Sequence, residues 1–145
     1  MTTLSLLSGI PASGKTTLAH ELAQKHNATV HSYDDMPEAN TKVSMDGSVK
    51  QAWIQNIRED LQSGKSVICD GLNLTVTERK ELLAQFSDIP CQKFLHMKIV
   101  PLEICLQRNR ERKARLPDFV VEQAAERMEP PTKEEGWDKI YVYKD

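Results

Sequence analysis

The chain has 145 residues, 39% of them hydrophobic and 28% charged, the balance of an ordinary globular protein. Its longest apolar runs, such as Leu4 to Leu7 and Ser66 to Cys69, are strand-sized and far short of the roughly 20 residues that span a bilayer, and no basic-then-apolar leader opens it, so the cytoplasm is the expected compartment. A formal net charge of -2 gives no global pull on polyanions, and Cys69, Cys91 and Cys105, without His or Cys neighbours at zinc spacing, read as reduced core residues.

Strand-length apolar runs alternate with helical patterns, the arrangement of a parallel sheet covered by helices on both faces. Thr3 to Ser8 predicts a strand, Gly9 to Gly14 a glycine-rich turn, and Lys15 to about His26 a helix with Leu18, Leu22 and Ala23 on one face. A short strand follows at Thr29 to Ser32. Met36 to Val49 is polar, contains Pro37, Asn40, Asp46 and Gly47, and reads as a loop with Lys42 as its one cation. Trp53, Ile54, Ile57 and Leu61 recur at helical spacing in a helix that Gly64 stops. Ser66 to Asp70 predicts a buried strand, Val76 to Phe86 a helix capped by Thr75 or Thr77, and Gln92 to Ile99 a further strand. Leu102, Cys105 and Leu106 open a helix that runs into Arg108-Asn109-Arg110-Glu111-Arg112-Lys113-Ala114-Arg115. Past Pro117, a helix carries Val120, Val121, Ala124 and Met128 on one face. Pro130 and Pro131 end it, and Lys139 to Lys144 alternates as a fifth strand.

Gly9-Ile10-Pro11-Ala12-Ser13-Gly14-Lys15-Thr16 has two glycines bracketing four residues, then Lys and Thr. This spelling points to a phosphate cradle: the glycines let successive amides turn inward, and the next helix adds its positive end. Lys15 would bridge the β- and γ-phosphates, and the Thr16 hydroxyl would ligate magnesium. A turn carrying this spelling by chance would occur in about one in two hundred chains of this length. The strand before it and the helix after it make chance rarer still.

Three further features point the same way. Ser66 to Asp70 is an apolar strand ending in a carboxylate, which places Asp70 at the sheet edge beside the phosphate loop; the alternative is an ordinary turn. Asn73 reads either as a turn residue or as a polar contact in the site. Asp34 and Asp35 follow the second strand at the same edge, where a carboxylate can orient an acceptor hydroxyl and take its proton; the alternative is two solvated acids. The basic stretch sits where mobile cations could cover a triphosphate, and a spacing of four puts Arg108 and Arg112 on one helix face.

With these residues in place, the chain resembles the kinase domain of polynucleotide 5'-kinases, within a wider P-loop kinase group that includes seryl-tRNA kinases and zeta toxins. The resemblance rests on the phosphate loop through Thr17, on Asp34-Asp35, on Asp70-Gly71-Leu72-Asn73-Leu74 and on Arg108-Asn109-Arg110-Glu111-Arg112. It also rests on Met128-Glu129-Pro130-Pro131-Thr132-Lys133-Glu134-Glu135-Gly136-Trp137-Asp138, its most family-specific piece. It implies an α/β fold of the P-loop NTPase kinase type: a five-stranded parallel sheet, helices on both faces and a basic lid over about 108–117, in one domain over 1–145. It implies ATP and magnesium as cofactors, with Thr16 and Asp70 at the metal. The nucleotide would lie on Gly9, Pro11, Ala12, Ser13, Gly14, Lys15, Thr16 and Thr17. Asp34 would be the general base, Asp35, Asp70 and Asn73 would line the acceptor side, and Lys15, Arg108 and Arg112 would act on the phosphates.

The family's acidic pair is followed, after one residue, by an arginine that engages the acceptor end; this chain has Pro37 there. The leading expectation is transfer of the ATP γ-phosphate to the 5'-hydroxyl of a nucleic-acid end. The alternatives are a kinase for another hydroxyl (a nucleoside, a hydroxymethylated base in DNA, seryl-tRNA or a small metabolite) and a nucleotide-binding switch.

Overall fold

The computed structural model describes residues 2–37, 39, 47–113 and 115–144. Lys42 and most of the expected acceptor loop, and Ala114 in the basic stretch, lie outside the described residues.

Five strands, β1 (Thr3–Ser8), β2 (Thr29–Ser32), β3 (Val67–Asp70), β4 (Gln92–Ile99) and β5 (Lys139–Lys144), form one parallel sheet in the order β2-β3-β1-β4-β5. Among the described residues five α-helices connect them: α1 (Lys15–His26), α2 (Ser48–Gln62), α3 (Val76–Ala84), α4 (Leu102–Arg110) and α5 (Asp118–Arg127). Parallel neighbours need a crossover, so each helix must pack back on the sheet, and alternate strand residues face opposite helical layers. Leu4 and Leu6 of β1 join Val67, Cys69 and Leu95 in a core closed by Trp53 and Ile57 of α2 and by Leu82 and Phe86 at α3. Leu7 and Ile68 face the other way, onto Leu18, Ala19 and Leu22 of α1. Burial pushes the thiol of Cys69 far up, while Cys105 is equally buried and Cys91 half-buried.

The strand order reverses at β1, whose neighbours are β3 and β4. At such a point two connections leave in opposite directions and open a crevice at the strands' carboxyl ends. Residues 9–14, 33–35 and 70–74 all lie at that edge.

Some element ends differ from the sequence pattern. α3 stops at Ala84, because Phe86 and Ile89 donate their amides three residues back, to Leu83 and Phe86, and this tight turn swings both side chains into the core. Phe86 keeps helical spacing while leaving the helix. Of the two candidate caps, Thr75 is the one used: its hydroxyl accepts from the Glu78 amide at 3.1 Å. Asp34 and Asp35 sit in a 3-10 turn over Tyr33–Asp35, pinned by the Met36 amide on the Tyr33 carbonyl and by the Tyr33 ring edge-on to Trp53 at 5.6 Å.

Candidate functional site

The phosphate-loop geometry follows from its glycines and its apolar residues together. A Cβ on Gly9 would stand 2.9 Å from the Ser13 hydroxyl, 3.0 Å from the Lys98 carbonyl oxygen and 3.1 Å from Lys15 Cδ, so no side chain fits there. Gly14 holds φ at 92°, a left-handed conformation that side chains resist. Ile10 and Ala12 point away from the crevice into a cluster with Leu74, Val100, Cys105, Val121 and Ala124. The loop is thereby glued to α4 and α5, and Ala12 can offer a ligand only its backbone. The Pro11 side chain is buried too.

Gly14 caps α1 without a side-chain hydrogen bond, which leaves the helix's first amides uncommitted. The Ser13 hydroxyl is fully buried and finds no hydrogen-bond partner among the described residues. A buried orphan hydroxyl is costly unless a ligand oxygen completes it, and a phosphate would. Thr16 and Thr17 follow on the first turn, both exposed.

The Lys15 side chain does not extend freely into solvent. It is half-buried, folds back so that Nζ donates to the Ile10 carbonyl at 3.4 Å, and burial draws its pKa below the usual lysine value. Asp70 and then Asp34 oppose that shift, and Arg112 adds to it. The ammonium therefore lies within electrostatic reach of a strand-end carboxylate, an acid of the 3-10 turn and an arginine of the basic stretch.

Asp70 is 8% exposed, and its Oδ2 accepts from the Ser32 hydroxyl at 2.9 Å and from the Thr16 hydroxyl at 3.4 Å. Thr16 and Asp70 present hard oxygen donors, which fits magnesium, an ion that completes its shell with water and phosphate. Asp34 and Asp35 are both exposed.

Asn73 occupies a turn. Its φ is 46°, its amide donates to the Leu7 carbonyl at 2.8 Å, and its own carbonyl accepts from the Ser8 hydroxyl at 2.7 Å. The Gly9 amide donates to the Leu72 carbonyl at 3.1 Å, so the segment after β3 and the start of the phosphate loop are stitched together.

The basic stretch is also corrected. α4 ends at Arg110, so Arg108 and Arg112 share no helix face. The cause is Asn109, fully buried, which donates to the Leu116 carbonyl at 2.7 Å and accepts from the Leu116 amide at 3.1 Å, closing a loop over 109–116. Arg110 pairs with Asp118 at 2.8 Å. Arg112, released from the helix, is the arginine that acts on Lys15.

A residue that sequence reasoning missed holds the family-specific segment. Arg79 has no exposed surface; it donates to both Glu135 carboxylate oxygens, at 2.7 and 3.1 Å, and to the carbonyls of Asn73, Leu74 and Pro130 at 3.2, 2.8 and 3.1 Å. Glu135 also accepts from Trp137 Nε1 at 3.0 Å and the Thr132 amide at 2.7 Å; burial pushes its carboxyl up, but the bonds from Arg79, Trp137 and Thr132 together hold it below the usual range. The Glu-Gly-aromatic signature is thus a buried clasp under the segment after Asp70. No local pattern announces it, because Arg79 and Glu135 are 56 residues apart.

The family model described as an AAA domain matches residues 4–131. The chain belongs to that family. Its fold is that of P-loop kinase-like NTPases, and nucleotide binding goes with it. Among sequence relatives it is 26% identical to protein kti12 of Schizosaccharomyces pombe and 25% identical to L-seryl-tRNA(Sec) kinase of Methanococcus maripaludis, with 93% of this chain covered in each case. The chain spans 54% and 56% of those proteins' lengths. Among solved structures, the Pnkp1/Rnl/Hen1 RNA repair complex superposes with a TM-score of 0.78 at 17% identity, over 87% of this chain and 43% of that one. Chaetomium thermophilum Kti12 in complex with ADP-AlF3 gives 0.74 at 20% identity, over 97% and 88%. A gluconokinase from Sinorhizobium meliloti gives 0.72 at 16% identity, over 98% and 82%. At these identities the structural likeness speaks for the fold. Among the described residues, no helix is long and apolar enough to cross a membrane.

Proposed function

We propose that this chain is an ATP-dependent kinase that moves the γ-phosphate to a hydroxyl, with the 5'-hydroxyl end of a polynucleotide as the leading acceptor. The observation that carries the reading is the convergence of Asp70, Asp34 and Arg112 on the partly buried Lys15 ammonium. The uncapped first amides of α1 and the buried Ser13 hydroxyl, which has no partner among the described residues, add donors that phosphate oxygens would satisfy.

In this reading the loop amides, the Ser13 hydroxyl and Lys15 hold the phosphates, and Thr17 lies by the α-phosphate. Thr16 and Asp70 would hold magnesium, which would supply charge neutralisation on the phosphates. Asp34 accepts the proton of the acceptor hydroxyl as its oxygen bonds to the γ-phosphorus, the bond from that phosphorus to the β-γ bridging oxygen breaks, and ADP leaves. Asp35 and Asp70 stand on the acceptor side. Arg108 and Arg112 approach from the lid side, where they would stabilise the charge on the transferring group.

The resemblance to polynucleotide kinases and the likeness to a tRNA kinase and an RNA repair enzyme favour a nucleic-acid acceptor. Pro37 favours a second reading, a kinase for a smaller hydroxyl, because the arginine that engages a polynucleotide end is replaced. Label transfer from γ-labelled ATP to hydroxyl-ended DNA, RNA, nucleosides and tRNA separates the two.

A further inference from the structure

The two sides of β1 carry opposite charge at the crevice. β3 and β2 bring Asp70 and Asp34, whereas β4, on the other side, brings Lys98. The Lys98 ammonium nitrogen lies 2.9 Å from where a Cβ on Gly14 would stand, with Cδ and Cε at 3.8 and 3.9 Å. Its carbonyl oxygen lies 3.0 Å from the corresponding point on Gly9. One residue therefore lies against both glycines that bound the phosphate loop, main chain at the first and amine at the second. The amine arrives where the first amides of α1 have no cap and where the buried Ser13 hydroxyl has no partner among the described residues.

We propose that Lys98 is a nucleotide-binding residue that donates to the diphosphate part of the nucleotide, from the side of the loop away from Asp70. The inference rests on reading the loop as an ATP site. β4 is rigid beneath it: His96, on the same face, stacks on Tyr141 at 4.8 Å and bonds to the Tyr143 hydroxyl at 2.8 Å. The acids and Arg112 gather around Lys15, so the transferring end of the nucleotide lies on their side, and Lys98 meets phosphates that ADP retains. Such a contact holds substrate and product alike, so it lowers KM more than it raises kcat.

The test is calorimetric binding of ADP and of inorganic pyrophosphate to wild type, Lys98→Met and Lys98→Arg. Lys98→Met, which keeps the stem against Gly14, is expected to bind both probes about tenfold more weakly, as befits loss of one charge-assisted bond. Lys98→Arg is expected to stay within about threefold of wild type, because it keeps the donor. Thermal unfolding without ligand checks that each variant is folded, and Lys98→Gln replaces Lys98→Met should the latter fail. Lys98→Met within about twofold of wild type for ADP overturns the inference, and so does weakened ADP binding with pyrophosphate binding unchanged. A wild type that binds neither probe overturns the ATP-site reading and this inference with it, while a wild type that binds both beside an indifferent Lys98→Met overturns Lys98 alone.

Discussion

Ser32 of β2 and Asp70 of β3 are register partners, and the Ser32 hydroxyl donates to Asp70 Oδ2 at 2.9 Å. Thr16 meets the same oxygen from the phosphate loop at 3.4 Å, so the carboxylate is held between the sheet and the helix. Ser32→Ala removes the sheet side of that grip. The magnesium concentration for half-maximal transfer should rise about tenfold, and further in Asp70→Asn. A magnesium titration at fixed ATP measures it; a Ser32→Ala curve lying on the wild-type curve would remove Ser32 from the site.

If Lys15 holds the transferring phosphate as proposed, Lys15→Ala should lower turnover about a hundredfold or more. Without nucleotide, the variant should melt at the wild-type temperature or above, because it no longer holds an ammonium whose basicity burial depresses. Turnover above about a tenth of wild type would remove Lys15 from the phosphates.

Asp34→Asn should keep ATP affinity while turnover drops about a hundredfold, and Asp35→Asn should cost less. Asp34 is among the charges acting on Lys15. Single-turnover rates decide; a reversed order would move the base to Asp35.

Arg79 and Glu135 form a pair with no exposed side-chain surface. Arg79→Met strands a buried carboxylate and should cost about 3–5 kcal/mol in urea unfolding. Adding Glu135→Leu to Arg79→Met should recover part of that loss, because the stranded charge goes as well. Equal losses in the single and double variants would mean that the carbonyl contacts of Arg79, and not the ion pair, hold the segment.

His96 Nε2 is buried and has no partner among the described residues, and burial, then His26 and Lys25, pull its pKa down to about 4. The folded state thus resists a proton that the unfolded chain takes up near pH 6.5. Stability from this group is complete above that pH and drains away as pH falls, by about 2 kcal/mol at pH 5 and about 3 kcal/mol at pH 4. His96→Phe should flatten the stability curve between these limits; urea unfolding at pH 7 and pH 5 tests it.

Much of this architecture is legible in the sequence, since apolar period and turn residues mark where parallel strands and their crossovers must fall. β1, β2, β4 and β5 and the start of α1 lie where the pattern puts them. What escapes the pattern is what long-range contact decides. Asn109 ends α4 by bonding across a loop, Phe86 leaves α3 while keeping helical spacing, and Arg79 finds its carboxylate 56 residues away. The phosphate loop is legible because its glycines are a local necessity. Lys98, one polar residue in a strand, gives no sign that its amine reaches Gly14.

The most direct measurement is transfer of label from γ-labelled ATP, held saturating, to 5'-hydroxyl DNA and RNA ends, tRNA, hydroxymethylated DNA, nucleosides and small sugars. Label is expected on a nucleic-acid 5' end, with acceptor affinity falling on a logarithmic salt slope of roughly -1 to -3, as suits a few phosphate contacts from a local basic patch. Label on an uncharged acceptor alone, with a flat salt response, would move the acceptor to a small molecule. ATP bound at the loop with no label reaching any hydroxyl would contradict the kinase reading itself.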